Sequence, residues 1–147
     1  KRAENVATLA ELYGRSRDEG FVTENKRRIM IGSYVLSSGF FDAYYLQAQK
    51  ARTVLIQEFT DLFEKYDILL TPTAPTPAFE IGENVADPIK MYLADIMTVP
   101  ASLAGLPALS VPAGSTAAGL PVGVQLIAKQ KADAVLLALA KQMEEAQ

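Results

Sequence analysis

Asp95 is the charged residue whose position in this sequence most suggests chemistry. It is the only Asp, Glu, Lys or Arg between Lys90 and Lys129, and it lies at the edge of the most apolar part of the chain. An ionised carboxylate in apolar surroundings needs a partner. Two interpretations follow from the residues alone: an exposed or helix-terminal aspartate, or a carboxylate that holds a cationic group of a ligand in a pocket.

Other residue types and motifs that could carry chemistry are scarce. The sequence contains no His and no Cys, which excludes imidazole bases, thiolate nucleophiles, disulfides and Cys/His zinc sites. It also lacks a phosphate-binding loop, a dinucleotide-binding glycine motif, a Gly-x-Ser-x-Gly elbow and any Ser-x-x-Lys motif. The carboxylates show no metal-ligand spacing, so no metal site is predicted. Any chemistry must use hydroxyls, Lys, Arg or carboxylates, and we interpret the serines as helix, turn and strand hydroxyls.

The charge distribution excludes an extended nucleic-acid surface. The formal net charge is −3, and the only basic run, residues 26–28, is typical of a solvated helix face. Residues 96–128 carry no charge and are long enough for a membrane span, but repeated prolines and glycines break any such helix. We therefore predict strands and loops buried in protein, and no membrane contact. The first residues do not form a signal peptide, so a cytoplasmic location is expected.

The elements that must position these residues follow from hydrophobic periodicity. A capping box at Thr8 and Glu11 predicts a first short helix, and Thr23 is placed to cap a second, in which Glu24 and Arg28 stand four residues apart in the favourable order. Apolar residues at steps of three and four predict one long helix over about residues 40–66.

Beyond the long helix, the hydrophobic pattern predicts short strands interleaved with helical segments. Further helical turns are predicted at residues 89–97, ending before Pro100, and a closing helix at 132–145. Buried strands interleaved with helices indicate an α/β fold with a mixed β-sheet and flanking helices. The predicted strands are residues 68–70, 109–111 and 122–127.

Several of these segments resemble the amidase-signature family. They are residues 67–73, 101–112 and 119–126. Within that family, residues 26–32, 38–50 and 91–95 are similar to the A subunits of glutamyl-tRNA(Gln) amidotransferases. The resemblance implies that residues 1–147 are the C-terminal portion of a single amidase-signature domain, and that residues 96–128 are covered by the preceding portion.

The resemblance also implies a glutaminase. In the family, a Ser attacks the side-chain amide of glutamine, a second Ser and a Lys relay protons, and ammonia passes to the B subunit, which uses ATP and Mg to convert Glu-tRNA(Gln) to Gln-tRNA(Gln). The Gly/Ser-rich loop and the catalytic Lys have no counterpart in this sequence. We therefore expect no catalytic residue and no bound cofactor in this chain, and no activity of the chain alone. The implied partners are the B and C subunits of the amidotransferase, with tRNA(Gln) bound by the complex rather than by this segment.

Two substrate-binding positions of the family match Arg28 and Asp95. Free glutamine carries an α-carboxylate and an α-ammonium group, which a guanidinium and a carboxylate can bind selectively. Arg28 would take the carboxylate and Asp95 the ammonium, while Lys26 and Arg27 remain surface charges. Two alternatives stay open: a stand-alone amidase acting on another small amide, and an assembly module for the other amidotransferase subunits.

Overall fold

A computed structural model describes residues 2–84 and 87–146 of the chain. The chain divides into two compact units, Lys1–Lys50 and Ala51–Gln147. Helices come first, followed by a strand, two short helices, two more strands and a closing helix. The predicted α/β class is therefore confirmed.

The first helix, α1 (Leu9–Gly20), begins as the sequence predicts. The hydroxyl of Thr8 accepts a hydrogen bond of 3.1 Å from the backbone N–H of Glu11. The carboxylate of Glu11 accepts one of 2.9 Å from the backbone N–H of Ala7, one residue before the cap. The first bond satisfies a backbone donor that the start of the helix leaves without a partner, and the second ties the residue before the cap to the first turn.

The second helix, α2 (Thr23–Val35), begins one residue earlier than predicted. Val22 occupies the N-cap position and provides no side-chain hydrogen bond, so Thr23 is the first helical residue and not the cap. Tyr34 near the end of α2 packs on Phe40, with ring centroids 4.2 Å apart, and on Tyr44, at 6.3 Å.

The long helix predicted over residues 40–66 is confirmed, and its first turn is wider than expected. A π-helical turn, Phe41–Leu46, runs directly into α3, Gln47–Phe63. A π turn has i→i+5 hydrogen bonds and occurs mostly as a single turn within an α-helix, and the apolar spacing of three and four residues predicts only the α-helix.

The second unit contains a three-stranded sheet in the order β1-β3-β2. Both pairings are antiparallel, with Leu69 opposite Ile127 and Leu109 opposite Leu126. We expected a mixed sheet, but in the described part of the chain no pair is parallel. A short connection joins β2 to β3, and such connections favour antiparallel neighbours. The strands are β1 (Ile68–Pro72), β2 (Ala108–Ser115) and β3 (Pro121–Ala128).

One face of this sheet packs against the closing helix, α6 (Asp133–Glu145). Alternate residues of β3 point to this face, as the period of two in a strand requires. The core residues that share it are Val111, Leu126, Ala128, Leu136 and Ala140.

Two short helices lie between β1 and β2. The carboxylate of Asp87 caps α4 (Pro88–Leu93). The second, α5 (Val99–Ala104), differs from the sequence prediction, in which the helical turns end before Pro100. Pro100 instead occupies the first turn of α5, where no backbone N–H is needed, and Gly105 ends the helix at a φ of +70°.

No helix in the described residues combines the length and apolar character that a membrane span requires.

Gly123 allows two hydroxyls to meet above β3, which leads to a stability prediction. A Cβ at this position would lie 2.8 Å from Oγ of Ser110 and 3.1 Å from Oγ1 of Thr73. We expect Gly123→Ala to lower the free energy of unfolding by about 1–3 kcal/mol through overpacking. Urea unfolding of the complete gene product measures this change.

The matched control is Gly14→Ala in the middle of α1, where an added Cβ meets nothing within 4 Å. That substitution should raise the unfolding free energy by about 0.5–1 kcal/mol, because alanine favours the helix. Adding Ser110→Ala to Gly123→Ala should recover part of the loss. A Gly123→Ala protein as stable as the wild type would contradict the close packing at this point.

Candidate functional site

Asp95 lies in the turn that connects α4 to α5. Its backbone carbonyl accepts hydrogen bonds from the N–H of Thr98 at 3.0 Å, from the N–H of Val99 at 3.1 Å and from the Thr98 hydroxyl at 3.1 Å. Its own N–H donates to the carbonyl of Tyr92 at 3.3 Å. The backbone of the turn is thus held at several points, while the Asp95 residue itself is exposed.

The carboxylate of Asp95 takes part in no salt bridge within residues 2–84 and 87–146. Because the side chain is exposed, it needs no compensating cation from the chain. The apolar residues that surround Asp95 in the sequence therefore do not bury it. Its geometry allows it to meet a cationic group that arrives from outside.

The second face of the sheet carries polar groups that contact this turn. Gln125 of β3 is only 3% exposed. Its Nε2 donates to the carbonyl oxygen of Met97 at 2.9 Å and to Oγ1 of Thr71 at 3.1 Å. Gln125 is not among the predicted site residues, although a glutamine flanked by apolar residues inside a predicted buried strand indicates a polar group that needs a partner.

Two hydroxyls continue the polar face. Oγ1 of Thr73 and Oγ of Ser110 lie 2.8 Å apart above Gly123, and all three residues line a cleft of about 660 Å³. In the described part of the chain neither hydroxyl hydrogen-bonds a Lys or Arg side chain.

A second cleft of about 530 Å³ reaches the end of α4. It is lined by the Pro-rich segment 75–79, by Lys90 and by Ala94, among others. Asp95 follows Ala94 directly in the chain, but it is not itself a lining residue.

Arg28 lies in α2, in the first unit, whereas Asp95 lies in the second. The Nε of Arg28 donates a hydrogen bond to Oε1 of Glu24 at 2.9 Å. The other carboxylate oxygen of Glu24, Oε2, accepts one from Nη1 of Arg27 at 2.8 Å. The predicted pair of Glu24 and Arg28 is therefore confirmed, in the order that suits a helix. The Arg28 side chain remains 64% exposed, with its guanidinium oriented by Glu24.

Lys26 differs from its two basic neighbours. Its ammonium hydrogen-bonds Asp18 of α1. This hydrogen bond, together with the charge of Lys26, holds the pKa of the Asp18 carboxyl below its usual range. Lys26 thus contributes to the contact between α1 and α2, a different role from that of the two arginines on Glu24.

Among the residues that the structure describes, no group of three or more His, Cys, Asp or Glu side chains could hold a metal ion.

Curated relatives match nearly the whole chain. A protein of Brevibacillus brevis (strain 47), named as the A subunit of glutamyl-tRNA(Gln) amidotransferase, is 54% identical over 144 residues, which cover 98% of this chain and 29% of that protein. A protein of the same name from Koribacter versatilis is 53% identical and is covered to 30%. The chain thus spans less than a third of the length of these relatives.

Solved structures share the fold. The crystal structure of the A subunit of glutamyl-tRNA(Gln) amidotransferase from Thermotoga maritima matches with a TM-score of 0.63 and 47% identity, covering 86% of this chain and 28% of that one. The neighbours thus confirm the amidase-signature fold that the sequence segments predicted. A protein-family model described as Amidase matches residues 1–137, and the chain belongs to this amidase family.

Proposed function

We propose that this chain is part of the A subunit of a tRNA-dependent amidotransferase, and that it recognises the glutamine that the enzyme hydrolyses to supply ammonia. The observation that carries the proposal is the identity of 50–54% to curated A subunits over nearly the whole chain. Because the chain spans less than a third of those relatives, catalysis is assigned to the complete gene product. Its Ser-Ser-Lys residues would lie outside this chain.

Glutamine recognition would use two charged groups. Arg28 would bind the α-carboxylate, because its planar guanidinium offers several N–H donors in a fork that matches a carboxylate. The hydrogen bond from its Nε to Glu24 supports this role by orienting the guanidinium. Asp95 would bind the α-ammonium, and its exposed position on a turn held by backbone hydrogen bonds suits such a contact.

The rest of the reaction belongs to the complex. Ammonia would pass to the B subunit, where ATP and Mg activate Glu-tRNA(Gln), and the C subunit would complete the assembly. This chain would bind no cofactor and would contact tRNA(Gln) only through the complex.

A stand-alone amidase is the second candidate, because the fold also occurs in enzymes for other amides. A bacterial aryl acylamidase of the amidase signature family matches this chain with a TM-score of 0.65, over 93% of the chain and 28% of that enzyme. Its identity is 26%, about half of that to the A subunits. The comparison therefore favours the amidotransferase over the amidase.

A substrate panel separates these two candidates. We expect the complete gene product to release ammonia from glutamine with a kcat/KM at least about 100-fold above that for benzamide, because benzamide offers no carboxylate to Arg28 and no ammonium group to Asp95. Hydrolysis of benzamide as efficient as that of glutamine, with no response to Asp95→Asn, would favour the stand-alone amidase.

Substitution of the two charged residues tests their roles. We expect Arg28→Gln and Asp95→Asn each to raise the KM for glutamine about 10- to 100-fold, since each removes a charged hydrogen-bonding partner. Steady-state ammonia release measures the change. The matched control is Arg27→Gln, which alters the neighbouring arginine on the same Glu24 and should leave KM within about twofold, as expected for a surface change.

A substrate analogue that lacks one charged group tests which group of glutamine each residue binds. Glutaramate lacks the α-ammonium group, so Asp95→Asn should abolish the preference of the enzyme for glutamine over glutaramate, while Arg28→Gln should retain it. Unchanged KM values in both variants, together with loss of binding to the other subunits, would instead identify the chain as an assembly module.

A further inference from the structure

We propose that Gln125 is a positioning residue for glutamine binding, because its buried side-chain amide holds the turn that carries Asp95 against the sheet. The inference rests on the proposed function, in which Asp95 binds the ammonium group of the substrate. It adds a residue that does not touch glutamine but determines where the Asp95 carboxylate stands.

The position of Gln125 is unusual for its residue type. It lies in the central strand, opposite Thr71 on one side and Ser110 on the other. Among the described residues it is the only buried polar side chain. A buried amide is costly unless it is hydrogen-bonded, and its Nε2 donates to one acceptor on the sheet, in Thr71, and to one on the turn, in Met97.

The orientation of the amide follows from its partners. The carbonyl oxygen of Met97 can only accept, so the atom 2.9 Å from it must be the nitrogen of the Gln125 amide. The hydroxyl of Thr71 donates its own proton to the carbonyl of Pro72 at 3.2 Å, which leaves it to accept from the same nitrogen. Both N–H groups of the Gln125 amide therefore act as donors. Rotation of the amide would place its oxygen against the carbonyl oxygen of Met97, and neither atom could donate.

The hydrogen bond to Met97 affects the position of Asp95 because the backbone around both residues is held by hydrogen bonds. Met97 stands two residues after Asp95, and the Asp95 carbonyl is bound by Thr98 and Val99 on the far side of Met97. A shift of the Met97 carbonyl would therefore move the whole turn. Since the substrate contact of Asp95 depends on distance and direction, a small displacement of its backbone weakens glutamine binding.

The experiment is Gln125→Met in the complete gene product, which keeps the length of the side chain and removes both donors. We expect the KM for glutamine to rise about tenfold while kcat changes by less than about threefold, as for a misplaced binding group. A role confined to stability would lower the amount of active enzyme and leave KM unchanged. The comparison variant is Thr71→Val, which removes the acceptor on the sheet but leaves the hydrogen bond to Met97 in place, and should raise KM by clearly less than Gln125→Met does.

A double-mutant cycle tests whether Gln125 acts through Asp95. In the Asp95→Asn background, Gln125→Met should cause no further rise in KM, because the contact that it misplaces is already lost. An independent, multiplicative rise would overturn the inference. An unchanged KM in Asp95→Asn alone would overturn the proposed function and this inference with it. A raised KM in Asp95→Asn with a normal KM in Gln125→Met would overturn this inference alone.

If Gln125→Met does not yield folded enzyme, Gln125→Leu takes its place, because it also removes both donors and buries no charge. The same rise in KM is expected. Failure of both variants to fold would show a purely structural role and overturn the inference.

Discussion

The pairing of β3 with strands on both of its edges is the interaction on which the second unit depends. It gives the sheet two faces of different character, because successive side chains of a strand point to opposite sides. Leu126 and Ala128 face α6 and form the apolar core, whereas Gln125 faces the turn between α4 and α5. One strand thus links the core of the unit to the residues proposed for function.

The polar face of the sheet shows how a buried side chain that must be hydrogen-bonded can determine tertiary structure. Apolar burial is non-directional and would allow the α4–α5 turn to pack in several ways. The amide of Gln125 allows fewer, since it must find acceptors at defined distances once it is buried. Thr71 and Met97 provide them, and the turn is held in one place as a result.

In the first unit, exposed ion pairs orient the charged side chains. Arg28 is oriented by Glu24 from the same helix, and Lys26 by Asp18 from the neighbouring one, so its charged groups depend on short-range contacts at an exposed surface. Such ion pairs contribute little to stability, but they can orient a guanidinium. The fold occurs in enzymes with different names, so specificity depends on particular side chains and not on the architecture.

The sequence by itself determined the features that depend on neighbours along the chain: the cap at Thr8, the pair of Glu24 and Arg28, the long helix and the location of the strands. The roles of Arg28 and Asp95 came from resemblance and stay predictions. Only the tertiary structure decided the antiparallel pairing, the helix α5 with Pro100 in its first turn, where the sequence predicts a helix end, and the partners of Gln125. The physical reason is distance along the chain, because the acceptors of that amide stand 54 and 28 residues away and no local pattern specifies which groups a buried amide will meet.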